Sequence, residues 1–325
     1  EFNGCERDMN MTKKIAFLFP GQGSQSVGMG KDLYENFESA RSVFETADKV
    51  LNKSISSICF EGPEEDLKQT VNTQPAIVTM SIAAMEALKS QIDIKPDFVA
   101  GHSLGEYCAM YTAGVMSLEN TLKAIQKRAD LMGATKGGSM AAVLNASEEQ
   151  LRAGLAEGSK VGYVDVANYN SPAQVVITGD ENAVKAASDY MLANGVRRVV
   201  PLAVSGAFHS KFMENAGRDF ASFVSGIELN DASMPVITNV DAELTTNSAD
   251  FREKMPRQIY SSVHWTQTIQ KMVEEGVEIF VEIGPGKVLA GLNKKIAPEA
   301  VVYNVYDKSS LDATVSALKE LMVGV

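Results

Sequence analysis

The chain has 325 residues, 45% hydrophobic and 22% charged, enough to bury a large core and, by length, to form about two domains. A formal net charge of -11 argues against nucleic acid or an anionic membrane as a standing partner, and no apolar run approaches the ~20 residues of a membrane span. Three cysteines without paired spacing (Cys5, Cys59 and Cys108) suggest neither a disulfide framework nor a zinc site, which points to a reducing cytoplasm.

Glu1 to Asn10 are polar and patternless. They are read as a remnant of cloning or a frayed terminus, residues 1–12 in all, with no secretory signal. Lys14 to Phe19 reads as a short buried strand, closed by Pro20 and the glycine-rich loop Gly21-Gln22-Gly23-Ser24-Gln25. A dinucleotide-binding loop is disfavoured here: Pro20 interrupts the junction, Ser26 takes the third glycine position, and no second strand ending in an acid follows. From Lys31 to Lys95 the pattern is helical, and Gln74 to Ile92 is so nearly uncharged that it should be buried on most sides.

The apolar run Phe98 to Ala100 then leads into Gly101-His102-Ser103-Leu104-Gly105, with a helix from Leu104 onward. Strand, G-x-S-x-G and helix together are the nucleophile-elbow pattern, in which a sharp turn leaves one hydroxyl exposed in a strained conformation. A side chain at Gly101 or Gly105 would crowd that turn. Backbone N–H groups at the start of the helix face any negative charge that develops beside Ser103. The loop after the first strand is placed to present another N–H. Cys108, in the following helix, is expected to pack rather than react.

Ser117 is the expected N-cap of the next helix, whose apolar stripe is Leu118, Leu122, Ile125, Ala129 and Met132. Arg128 falls about 80° from the centre of that stripe, at the boundary of the buried face. Two readings remain open at this point: a snorkelling surface arginine, or a guanidinium turned into a cleft to hold a carboxylate bidentately.

After Lys136-Gly137-Gly138-Ser139 the pattern changes. Met140 to Leu144, Val161 to Ala167, Gln174 to Thr178 and Val196 to Val204 read as strands. Helices at Ser147 to Glu157 and Asp180 to Asn194 separate them, and Asn168-Tyr169-Asn170-Ser171-Pro172 is read as a connection. This β-α-β-β-α-β order is the split, ferredoxin-like unit, expected as a subdomain of residues 137–205 inserted into a larger domain of residues 13–136 and 206–325. The larger domain resumes with a helix (Lys211 to Phe223), a strand (Pro235 to Asn239), helices from Asp250 and Trp265, and the strand Val277 to Ile283. Gly284-Pro285-Gly286-Lys287 opens a further helix and lacks the glycine and Ser/Thr of a Walker loop. A strand (Ala300 to Val305) and a helix (Leu311 to Met322) follow.

A serine nucleophile needs a base, and only three histidines are present. The side chain of His102 should diverge from that of its neighbour Ser103, and His264, beside Trp265, has packing as its default role. His209 lies where the inserted unit hands back to the larger domain, an interface position common for sites. A Ser103–His209 pair fits general-base activation of the hydroxyl. No acid stands out as a third member, so either a dyad operates or a backbone or amide oxygen holds the imidazole.

Gly21-Gln22-Gly23-Ser24-Gln25, Gly101-His102-Ser103-Leu104-Gly105-Glu106, the Arg128 helix, Gly206-Ala207-Phe208-His209-Ser210 and Glu282-Ile283-Gly284-Pro285-Gly286, in that order, resemble the malonyl-CoA:acyl carrier protein transacylases of bacterial type II fatty acid synthesis, relatives of polyketide synthase acyltransferase domains. The resemblance runs from about Lys13 to the C-terminus. It implies an α/β-hydrolase-like core with a parallel sheet and the inserted ferredoxin-like subdomain. It implies malonyl transfer from malonyl-CoA to the phosphopantetheine thiol of acyl carrier protein through malonyl-Ser103, with a serine esterase or thioesterase as the alternative.

By residue, the resemblance makes His209 the base, then the acid toward departing CoA. The backbone N–H groups of Gln22 and Leu104 become the oxyanion hole, Arg128 the partner of the malonyl carboxylate, and the Gln258 carbonyl the group that orients His209. Leu104 and Gly206-Ala207-Phe208 are the local signals for malonyl over methylmalonyl, with Phe208 the selectivity residue. Ala129, where many relatives have glycine, leaves Arg128 in place. No bound cofactor or metal, no nucleic acid or membrane partner, and a monomer are expected. Since such carrier proteins are acidic, like this chain, docking needs a local basic patch, for which Arg197, Arg198, Lys287, Lys294 and Lys295 are candidates.

Overall fold

The structure, a computed structural model, describes residues 13–323; the expected remnant at residues 1–12, with Cys5, lies outside the described residues. In chain order its strands are β1 (Lys14–Phe19), β2 (Phe98–Gly101), β3 (Ser139–Leu144), β4 (Val164–Ser171) and β5 (Gln174–Gly179). Then come β6 (Arg198–Pro201), β7 (Val236–Ile237), β8 (Leu244–Thr245), β9 (Val277–Ile283) and β10 (Val301–Val305). They form a six-stranded sheet of order β10-β9-β1-β2-β7-β8 and a four-stranded sheet of order β4-β5-β3-β6. The first five strands of the large sheet are parallel, and only β8 runs antiparallel, on β7. The chain is therefore α/β, with a mixed, mainly parallel sheet. No helix among the described residues is long and apolar enough to cross a membrane.

The large sheet carries a core on each face. Ile15, Phe17 and Phe19 of β1 point into one cluster, Ala16 and Leu18 into the other. A strand buried on both faces reads as a continuous apolar run, which is why β1 coincides with the run Ile15 to Phe19 in the sequence, whereas β9 carries Glu278 and Glu282 among its apolar residues. The 22-residue helix Thr70–Gln91 is buried along nearly its whole length, as its lack of charge requires.

The small sheet is antiparallel throughout, and its helices Glu148–Gly158 and Glu181–Ala193 pack on each other. The expected capping box is present: the Ser147 hydroxyl accepts from the Gln150 N–H, and the Gln150 side chain accepts from the Ser147 N–H. Two expectations are corrected. The strand expected at Val161 to Ala167 begins at Val164 and continues through Asn168 to Ser171, so the expected connection is mostly strand. Those polar residues are buried, and register shifts after Val166 and Tyr169 accommodate them while the hairpin closes over Pro172 and Ala173. The last strand of the unit is also shorter than Val196 to Val204, ending at Pro201. Gly137 and Gly206, which flank the four-stranded sheet in the sequence, lie side by side in a parallel bridge.

Candidate active site

The site lies at the carboxyl ends of β1, β2 and β9, where ligands bind in open parallel sheets. Ser103 lies two residues beyond β2, after His102, and has φ +51°, a left-handed backbone that an L-residue adopts only when its surroundings enforce it. A short 3-10 turn, Ser103–Gly105, leads into the helix Glu106–Thr112. The flanking glycines are there for space: a Cβ on Gly101 would lie 1.9 Å from the Gly105 carbonyl carbon, and one on Gly105 would lie 2.3 Å from the Phe19 oxygen. Leu104, 1% exposed, sits at the helix start, where the first N–H groups have no intrahelical partner.

His209 also has a left-handed backbone, φ +52°. Its Nε2 is 2.8 Å from Ser103 Oγ, and its Nδ1 is 2.9 Å from the Gln258 carbonyl oxygen and 3.1 Å from that of Ser261. Nδ1 therefore carries the proton and Nε2 is free to accept from the serine hydroxyl. These carbonyls stand at the C-terminal end of the helix Ser248–Tyr260, where the last carbonyls have no partner within the helix. That end supplies the acceptors a carboxylate would otherwise provide, which explains the missing acid. Burial, then the charge of Arg128, push the His209 pKa down to about 3, so the imidazole is neutral and ready to accept. The Phe208 carbonyl, held by the Thr178 hydroxyl of β5 at 3.0 Å, ties this loop to the small sheet.

Arg128 is 1% exposed, which excludes the snorkelling reading. Its Nη1 donates to Gln74 Oε1 at 2.7 Å, and its Nη2 donates to Gln258 Oε1 at 3.0 Å and to Ser103 Oγ at 3.2 Å. The guanidinium lies 5.7 Å from the centre of the Tyr107 ring, and its Nε has no partner. A buried cation beside a nucleophile, hydrogen-bonded only to neutral groups, is able to receive an anionic part of whatever the serine attacks.

A cavity of about 450 Å³ opens over Ser103 and His209, lined also by Gln22, Asn170, Phe208 and Leu292. Every residue singled out in the sequence as a site residue therefore lies in or against one centre: Gln22 and Phe208 line it, Leu104 adjoins Ser103, and Gln258 touches both His209 and Arg128. His102 turns away from the serine, as expected, with its Nε2 2.7 Å from Asn170 Oδ1. His264 does more than pack: its ring stacks on Tyr169 and its Nδ1 is 3.1 Å from the Asn239 carbonyl oxygen.

Sequence reasoning missed Gln74, the side-chain role of Gln258, Asn239 and Glu106. An acid directly after the elbow motif was a signal for the last.

The sequence profile of the acyl transferase domain family matches residues 16–305. The chain is 43% identical over 311 residues to the malonyl CoA-acyl carrier protein transacylase of Bacillus subtilis, covering 94% of this chain and 98% of that protein. It is 40% identical over 301 residues to that of Synechocystis, covering 92% and 99%. The solved acyl carrier protein S-malonyltransferase of Vibrio cholerae superposes with a TM-score of 0.89 at 38% identity over 93% of this chain and 99% of its own. A malonyl-transacylase solved in complex with its type II PKS acyl-carrier protein superposes with a TM-score of 0.90 at 36% identity, over 94% and 99%. With a profile match along most of its length and relatives at this level of identity, the chain belongs to the acyl transferase family and, within it, to the malonyl CoA-acyl carrier protein transacylases.

Proposed function

We propose that this enzyme transfers the malonyl group of malonyl-CoA to the phosphopantetheine thiol of acyl carrier protein through a malonyl ester on Ser103. His209 Nε2 takes the hydroxyl proton as Ser103 Oγ attacks the thioester carbonyl, then returns it to the CoA thiolate as the tetrahedral intermediate collapses. In the second half, His209 takes the proton of the carrier thiol, sulfur attacks the ester, and Ser103 leaves with the proton. The N–H groups of Gln22 and Leu104 receive the oxyanion in both halves.

The observation that carries this reading is the distance of 3.2 Å from Nη2 of the buried Arg128 to Ser103 Oγ, which faces the cavity. A guanidinium there reaches the carboxylate of a short acyl group on the serine, and Phe208, 5% exposed, walls the space beside it. A serine esterase or thioesterase for neutral acyl groups would use the same Ser103 and His209 but would leave Arg128 buried without purpose.

Several features of the wider molecule fit the same reading. The small antiparallel unit, residues 137–205, is a ferredoxin-like insertion in an α/β-hydrolase-like domain of residues 13–136 and 206–325; the order β4-β5-β3-β6 and the adjacency of Gly137 and Gly206 support this. Carrier docking falls to the exposed Lys287, Lys294 and Lys295, around the helix Val288–Ile296 on the cavity rim, with Arg197 and Arg198 of the inserted unit. The enzyme is taken as a cytoplasmic monomer without a bound cofactor. The free buried thiols of Cys59 and Cys108 accord with a reducing compartment.

Weighing the protein after incubation with malonyl-CoA tests the reading. A malonyl adduct is expected that Ser103→Ala abolishes and that added phosphopantetheinylated carrier removes; an unmodified wild-type mass overturns it.

A further inference from the structure

Ser103 is held in a left-handed conformation that costs about 1–3 kcal/mol, so something nearby must hold it there. Backbone pairing does not reach it: β7 pairs with β2 at Val99 and ends at Ile237, before the elbow. Two residues beyond that end stands Asn239, fully buried. Its Nδ2 donates to the Gly101 carbonyl at 2.8 Å, and its Oδ1 accepts from the Ser103 N–H at 2.9 Å. One partner is a carbonyl and the other an N–H, which fixes the orientation of the amide. The side chain thus replaces the peptide group that a longer β7 would have placed opposite the turn.

Asn239 is itself fixed from several sides. Its backbone N–H donates to Glu106 Oε2 at 2.6 Å, its carbonyl accepts from the His264 N–H, and its Oδ1 also accepts from Gln258 Nε2 at 3.2 Å. Glu106 is 2% exposed and begins the helix that follows the elbow. The contacts close a ring: Ser103 to Asn239, Asn239 to Glu106, and Glu106 back along the chain to Ser103.

We propose that Asn239, anchored by Glu106, is a positioning residue that locks the elbow and occupies the Ser103 N–H, leaving the N–H of Leu104 to face the acyl oxygen. This rests on the acyl-transfer reading above as far as the oxyanion is concerned; the hold on Ser103 stands on geometry alone. Glu106 acts as a hydrogen-bond acceptor, so the neutral amide of Gln serves in its place. Asn239→Asp keeps an acceptor for the Ser103 N–H but sets an oxygen against the Gly101 carbonyl, tilting the turn.

The test uses the full chain and two measurements: the rate at which a fluorophosphonate labels Ser103, and single-turnover malonylation by malonyl-CoA. Asn239→Asp is expected to lose about 100-fold in both, the scale set by a misplacement of about 1 Å. The malonyl-CoA concentration at half-maximal rate should stay within about threefold, since Asn239 touches no substrate. Glu106→Ala should fall in the same direction and Glu106→Gln should restore the rate. Thermal unfolding and circular dichroism identify folded variants, and Asn239→Ser supplies a smaller change should the aspartate variant not fold. A folded Asn239 variant that labels and malonylates at the wild-type rate overturns the proposal, and Glu106→Ala at the wild-type rate removes the anchor. A wild-type protein that takes no malonyl group defeats the proposed function, while the labelling rates still decide the part played by Asn239.

Discussion

Arg128 Nη2 donates to the same oxygen, Ser103 Oγ, that His209 Nε2 approaches at 2.8 Å, so a buried guanidinium and a neutral imidazole converge on one atom. The other guanidinium contacts are the amide oxygens of Gln74 and Gln258, which align the fork without neutralising it. Arg128→Ala is therefore expected to cut kcat/KM for malonyl-CoA by the amount lost when a buried charge pair is truncated. That is about 2–5 kcal/mol, or roughly 30-fold to a few thousand-fold. Activity on acetyl-CoA, which has no carboxylate, should persist or rise. Equal losses on both substrates would show that Arg128 supports the fold of the site rather than the substrate.

The pH dependence of acylation follows from the same neighbourhood. Burial and then the Arg128 charge hold His209 down to about 3, while the Gln258 and Ser261 carbonyls oppose them. The neutral base is present at all pH values above that, so the acid limb of the acylation rate should lie well below the 6.5 of an ordinary histidine. Arg128→Ala removes one of the lowering causes, and the limb measured with acetyl-CoA should move upward. A limb that stays put would mean that the arginine charge does not reach the imidazole.

Much of this centre was legible because its chemistry needs particular residue types in particular settings. Ser103 stands between glycines that sterics demand, His209 survives elimination among three histidines, and Arg128 sits where a helical stripe ends. β1 was legible as an apolar run after Lys14, and β9 by the apolar residues around Glu278 and Glu282. Asn239 and Gln74 were not, because an amide that serves by hydrogen bonding to a distant backbone or guanidinium looks like any other polar residue until the chain is folded. The two-residue strand β8 is too short to show alternation, and Asn168 to Ser171 imitates a loop because its polar side chains are buried at the cleft rather than in water.

Glu282 shows how a motif residue shapes the cleft from behind. Fully buried at the end of β9, it accepts from the N–H groups of Leu289 and Ala290 at 3.1 and 2.9 Å and from Asn304 Nδ2 at 2.9 Å. It thereby caps the helix whose Leu289 and Leu292 line the cavity. Glu282→Ala strands those donors and should cost about 2–4 kcal/mol in denaturant unfolding, since each buried unsatisfied group costs about 1–3 kcal/mol. Burial pushes its pKa up to about 7 from 4.5. The folded chain thus binds a proton there that the unfolded chain has released between those values. Its stabilising effect is complete below about 4.5 and is lost as pH rises through about 7. Glu282→Gln, which cannot titrate, should lack this slope, and a wild-type stability curve parallel to that of the Gln variant across pH 5 to 8 would refute the assignment.

Two glycine substitutions separate steric need from mere permissiveness. At Gly101 an added methyl would meet Gly105 C and O at 1.9 Å and Glu106 N at 2.3 Å, all of them backbone atoms that no rotamer change clears. Relief requires β2 to move away from the helix start, which takes the Gly101 carbonyl from Asn239 and Ser103 Oγ from His209 Nε2. Gly101→Ala should therefore abolish both fluorophosphonate labelling and malonyl transfer, either in a folded chain or through loss of the fold. Gly291, by contrast, lies within the helix Val288–Ile296 with nothing inside 4 Å of the added carbon and no left-handed φ. There the methyl only restricts the unfolded chain, so Gly291→Ala should raise stability by about 0.5–1 kcal/mol and leave transfer unchanged. Activity surviving in Gly101→Ala would mean that the strand and the helix do not need their close approach, and with it the tight elbow would lose its steric basis.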